Sequence, residues 1–147
     1  MSLVSFPSWG ADLNKGLTAF DNQDYATAFK EWKPLAEQGN AVAQTNLGWM
    51  YQNGLGVPQD NKEAARLYRL AAEQGNADAQ YNLGAMYGNG TGVVQDFIYA
   101  HMWWNIAASN GVDKGNKKKV EELMTTSDIS EAQKFARECV KKNYKGC

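Results

Sequence analysis

The chain has 147 residues, a length that suits one domain. Leu, Ile, Val and Phe are sparse, which together with high net charge would indicate disorder. The formal charge of −1 excludes that reading, and alanine with 5 Trp, 7 Tyr and 5 Phe carries the apolar load, so a thin, elongated helical core is expected.

Residues 1–10, MSLVSFPSWG, have neither a charged n-region nor an apolar run of useful length, so they do not read as a signal peptide. Met1 to Leu3 read as a cloning remnant before a mature N-terminus. No stretch of about 18 apolar residues, the length a spanning helix needs, occurs anywhere. Helices are expected at 11–20 and 25–37, forming a leading unit over 11–40 with the short joint DNQ before Asp24.

Residues 41–76 are followed at once by a second copy, 77–112, with about half the positions identical at a period of 36. In the first half of each copy, Ala43, Leu47, Met50 and Tyr51 recur as Ala79, Leu83, Met86 and Tyr87. Their offsets put them on one helix face. In the second half, Ala64, Leu67, Tyr68, Ala71 and Ala72 answer to Ala100, Trp103, Trp104, Ala107 and Ala108, again one stripe. Helices are therefore predicted at 41–53, 61–74, 77–89 and 97–110. Gly48 and Gly84 stand inside helices, where glycine costs roughly 1 kcal/mol against alanine. That repeated cost predicts a helix crossing with no room for a methyl group. In the joints QNGLGVPQD and GNGTGVVQD, Gly54 and Gly90 suit left-handed helix ends. Asp60 and Asp96 suit N-caps, and Asp60 with Glu63 makes a capping-box pattern.

The leading unit falls into the same register in its second half. Ala28, Trp32 and Ala36 match positions 64, 68 and 72, and Asp24 matches Asp60. From residue 113 the period is lost, and 113–147 read as C-terminal capping helices at 117–124 and 126–143. Thr125 with Asp128 is a capping-box start, and Ile129, Ala132, Ala136, Cys139 and Val140 form an amphipathic stripe.

The string AxAQxNLGxMYxNGxGVxQD, then a spaced alanine, an aromatic and AAxQG, resembles the Sel-1-like repeat, a family related to the tetratricopeptide repeats. Copy two departs mildly, with Ser109 and Asn110 where copy one has Glu73 and Gln74. The resemblance implies an all-α fold, a right-handed superhelical α-solenoid of helix-turn-helix repeats. Its first helices would line a concave side, and the usual role is protein–protein interaction. On that side the resemblance places Thr45, Trp49, Gln52 and Tyr81, expected partly exposed, while Leu47, Tyr51, Leu83 and Tyr87 are expected buried.

No spacing pairs the one histidine, His101, with a nucleophile, and His101, Cys139 and Cys147 lack metal-ligand spacing. No catalytic residue, metal or cofactor is expected. Lys114, Lys117, Lys118 and Lys119 read as a solvated loop; the acidic overall balance argues against nucleic acid as partner. The first functional reading is a monomeric, non-catalytic scaffold holding a protein or peptide in the concave groove. The alternative is a cell-envelope enzyme or ligand-binding protein with β-lactam-related activity, as in a cysteine-rich branch of the family. That branch carries a cysteine pair in each repeat, and these repeats carry none.

Cys139 and Cys147 are the only cysteines. Asn143, Tyr144 and Gly146 allow the last helix to stop and the chain to turn back, which brings the two sulfurs within reach. A Cys139–Cys147 disulfide is predicted, and with it an oxidising compartment, periplasmic or outside the cell. The ending ARECVKKNYKGC also resembles the tails of exported bacterial Sel-1-like proteins. The alternative is a free, buried Cys139 in a cytosolic protein.

Overall fold

The computed structural model describes residues 10–147; the reading of residues 1–9 lies outside them. Among the described residues there are eight helices and no strand: α1 (Leu13–Asp21), α2 (Tyr25–Glu37), α3 (Ala41–Asn53), α4 (Asn61–Ala72), α5 (Ala77–Asn89), α6 (Phe97–Ser109), α7 (Asn116–Glu121) and α8 (Thr126–Lys141). Each helix packs on the next through α6, and α6 carries both α7 and α8. This is an α-solenoid.

Polar side chains start the helices where the sequence places them. Asp24, Asp60 and Asp96 accept from the backbone N–H three residues on, and Asn40 and Asn76 do the same for α3 and α5. Thr125 and Asp128 form the full capping box. At Asp60 only half of the expected box forms, because the Glu63 carboxylate turns to Arg66. Gly54 and Gly90 end α3 and α5 in the left-handed conformation.

The mid-helix glycines are contact points for the partner helix. A Cβ on Gly48 would lie 2.8 Å from the Tyr68 ring, and one on Gly84 would lie 2.8 Å from Trp104. Gly16 in α1 is a third case, 2.3 Å from the Trp32 indole. The sequence reading missed it because the short joint shifts its register. The Trp32 and Trp104 indoles donate to the Leu13 and Tyr81 carbonyls, each at 3.1 Å. Each first helix is thereby locked onto its own second helix.

Neighbouring units are joined by a buried glutamine. Gln44 Nε2 donates to the Ala36 carbonyl and Gln80 Nε2 to the Ala72 carbonyl, each at 3.1 Å. Gln44 Oε1 accepts from Gln74, and Gln80 Oε1 from Asn110. The apolar core is built of alanines against aromatics, with Ala28, Ala64, Tyr68, Ala100 and Trp103 fully buried.

Several expectations need correction. Tyr51 and Tyr87 are half-buried rather than buried: each packs against the core from its edge. Tyr51 sits edge-on to Phe29; Tyr87 stacks on Tyr99 and accepts from Arg69. Val140 is exposed despite its place in the α8 stripe. Lys117, Lys118 and Lys119 lie on α7, where the expected helix at 117–124 puts them, and not in a loop with Lys114.

Candidate functional site

On the exposed face of the first helices the two copies differ at 42/78, 45/81, 49/85 and 52/88. On α3 this face carries Val42 and Trp49, each 46% exposed. Trp49 is the one tryptophan among the described residues left exposed. Its backbone is held in regular helix, with Asn53 Nδ2 donating to its carbonyl at 2.9 Å.

Gln52 is half-buried beside it and fixed from two sides. Its Oε1 accepts from the Tyr68 hydroxyl at 2.8 Å, and its carbonyl accepts from Gln59 at 2.8 Å. Burial pushes the Tyr68 hydroxyl above the ordinary tyrosine range, so it stays a donor.

Thr45 corrects the expectation. It is buried, not exposed, because its short side chain folds back and donates to the Ala41 carbonyl at 2.8 Å. Val42 and Trp49, one turn to either side, take the solvent instead.

Tyr81, at the position of Thr45 in the second copy, is half-buried and tied to the C-terminal segment. Its hydroxyl accepts from Asn116, and the Lys114 ammonium lies 4.6 Å above its ring. Its ring is also 6.3 Å from Trp104. Partial burial raises its ionisation above the ordinary range, opposed by the Asn116 bond.

The second copy inverts the relief of the first. Ala85 stands where Trp49 is, and Gly88 where Gln52 is. The Trp104 indole fills the Gln52 place, with its Cη2 at 3.0 Å from a Cβ built on Gly88. Above it a cavity of about 260 Å³ opens between α5, α6 and α7, with Ala85, Gly88, Trp104, Val120 and Leu123 on its wall. Sequence reasoning missed this hollow. The signal lay in the concerted exchange at positions 49/85, 52/88 and 68/104.

His101 is buried under α7, with Nε2 2.7 Å from Glu121 Oε1. The pair ties α6 to α7. Cys139 and Cys147 are bonded, with Cα atoms 5.7 Å apart. The described residues hold no cluster of three His, Cys, Asp or Glu side chains arranged for a metal, and no helix long and apolar enough to cross a membrane.

The profile described as Sel1 repeat matches residues 41–76 and 77–112. Among solved structures the chain is similar to a protective antigen present in uropathogenic Escherichia coli strains displaying an SLR fold. The TM-score is 0.84 and the identity 28%, over 90% of this chain and 30% of that one. It is also similar to a Sel1 repeat protein from Oxalobacter formigenes, with TM-score 0.64 and 34% identity, over 77% of this chain and 44% of that one. The chain thus spans less than half the length of either neighbour. No curated protein sequence matches it. Two tandem repeats with the family's signature, glycine-for-aromatic helix contacts and the solenoid built on them make this chain a member of the Sel-1-like repeat proteins.

Proposed function

We propose that the chain is a non-catalytic scaffold that binds a protein or peptide along the exposed face of its first helices, with Trp49 as the anchor. The observation that carries this reading is Trp49 itself. A tryptophan 46% exposed on a regular helix presents a large apolar surface to a partner. Buried aromatic anchors dominate interface energies. Gln52 on the same helix and Tyr81 one repeat on offer polar contacts already held in place by Tyr68 and Asn116. Thr45, being buried, takes a supporting place under this face.

The Cys139–Cys147 bond supports an oxidising location, periplasmic or extracellular. The test is affinity capture from source-cell extract with the wild type and with Trp49→Ala. The thermal midpoint should stay nearly unchanged, and a captured partner should be lost or bound roughly 1–4 kcal/mol more weakly. Equal capture by both proteins removes Trp49 from the site. Hydrolysis of a chromogenic β-lactam that follows the protein through purification would favour an enzyme instead.

A further inference from the structure

The cavity between α5, α6 and α7 is one repeat further along the face that carries Trp49. Its apolar side is made by Ala85, Phe97, Trp104, Val120 and Leu123, and Gly88, Asn89, Asn116 and Lys119 make the rest of the wall. Leu123 is 68% exposed, a large apolar side chain left at the rim. At about 260 Å³ the hollow takes one or two side chains, not a drug-sized ligand. Its rim is basic. Lys119 lines it, Lys114 lies over Tyr81 at its edge, and Lys117 and Lys118 precede Lys119 on the same short helix. None of the four has a carboxylate within ion-pair distance among the described residues. The nearby Glu121 is already engaged by His101.

We infer that this cavity seats an aliphatic side chain of an acidic peptide, whose carboxylates meet Lys114 and Lys119 at the rim. The inference rests on the scaffold reading above and adds the chemistry of the partner. An apolar side beside unpaired cations complements a segment that alternates leucine-like and acidic residues. A nucleic acid fits less well. The hollow is too narrow to stack a run of bases, and residues 1–112 hold 6 Lys+Arg against 10 Asp+Glu, which would repel the rest of a polyanion.

The geometry also supplies its own control. The first repeat has Trp49 where the second has Ala85, so Ala85→Trp plants in the hollow the bulk that the fold already carries one repeat earlier. The probe is a fluorescein-labelled octapeptide with two central leucines flanked by glutamates. Two counterparts are used, one with glutamine for every glutamate and one with serine for both leucines. By fluorescence anisotropy the acidic leucine peptide should bind, and each counterpart should bind at least tenfold more weakly. Ala85→Trp should weaken the acidic peptide about tenfold with an unchanged melting curve, and Lys114→Gln with Lys119→Gln should do the same and flatten the salt dependence.

No binding of the acidic peptide, equal binding of the glutamine peptide, or indifference to Ala85→Trp overturns the inference. So does tighter binding of a single-stranded oligonucleotide or of phosphatidylglycerol vesicles. A cellular partner lost with Trp49→Ala but kept by the Ala85→Trp and lysine variants would retain the scaffold reading and overturn this inference alone.

Discussion

A methyl group on Gly92 would sit 2.2 Å from the Asn61 carbonyl oxygen, in a backbone with φ of +72°. Two costs fall on one atom there. An L-residue in the left-handed region costs roughly 1–2 kcal/mol, and the obstacle is backbone, which cannot swing aside. Gly84 differs. Its φ is helical and its neighbour is the Trp104 side chain, 2.8 Å away. Alanine there gains about 1 kcal/mol of helix propensity against an overpacking cost of about 1–3 kcal/mol. Urea denaturation should therefore rank Gly92→Ala as the more damaging, with Gly84→Ala losing at most about 2 kcal/mol. The reverse order would mean that the joint between α5 and α6 yields more easily than the helix contact. Gly84 stood out in the sequence as a glycine inside a helix, and Gly92 lies in the joint GNGTGVVQD. What was not legible was the neighbour. Asn61 lies in the preceding unit, and no periodicity within one copy reports which atom of another unit approaches it. Thr45 failed for a related reason, since a helical wheel gives direction but not whether a side chain is long enough to reach water.

Between elements, the buried glutamines set the pitch from unit to unit. Gln80 bonds both the end of α4 and Asn110 just past α6, so it couples three helices through one side chain. Gln80→Ala should cost about 1–3 kcal/mol, because the Ala72 carbonyl loses its partner in a buried place and Asn110 loses one of its two side-chain partners. A double-mutant cycle with Asn110→Ala should show coupling, and strict additivity would refute the network. The α1–α2 contact carries a charged version. Glu31 is buried, accepts from the Asp12 N–H at 2.9 Å and pairs with Lys15 at 3.2 Å. These contacts, the backbone bond first, hold its carboxyl below the usual range. A depressed carboxylate stabilises the fold above its unfolded-state value, and that stability is lost as pH falls through the folded value. Acid unfolding of the wild type should thus steepen below the ordinary glutamate range, and Glu31→Gln should flatten that limb while lowering stability at neutral pH. An unchanged acid limb would show the contact to be spent elsewhere. The helices themselves were legible almost to the residue, because caps and stripes repeat. α7 was the hardest to place, being one short coil held by Val120 and by the Glu121–His101 contact rather than by a stripe of its own.

At the scale of the molecule, a solenoid is held unit to unit and is weakest at its ends. Here the last helix is drawn into the core. Ala136 and Cys139 join the cluster that holds Met102, Trp103 and Ile106. The tail beyond α8 then turns back, with Asn143 and Tyr144 in left-handed conformations. The Tyr144 ring comes to rest 3.4 Å from a Cβ built on Gly75, and its hydroxyl accepts from Asn110 at 3.2 Å. Left-handed backbone at a tyrosine is costly, and the Cys139–Cys147 bond helps the hydrogen bond from the Tyr144 N–H to the Cys139 carbonyl hold the turn closed. In the chain-entropy account a loop this short contributes about 2–3 kcal/mol. Reduction, or Cys147→Ser, should therefore lower the thermal midpoint by about 5–10 °C without removing the helical signal of the repeats. Hydrogen exchange should rise first at the end of α8 and around Asn110. Alkylation of the denatured protein followed by intact mass gives the complementary count. No adduct is expected before reduction and two after it, in protein isolated from its native compartment. Two adducts before reduction would remove the bond and, with it, the oxidising location that the bond supports.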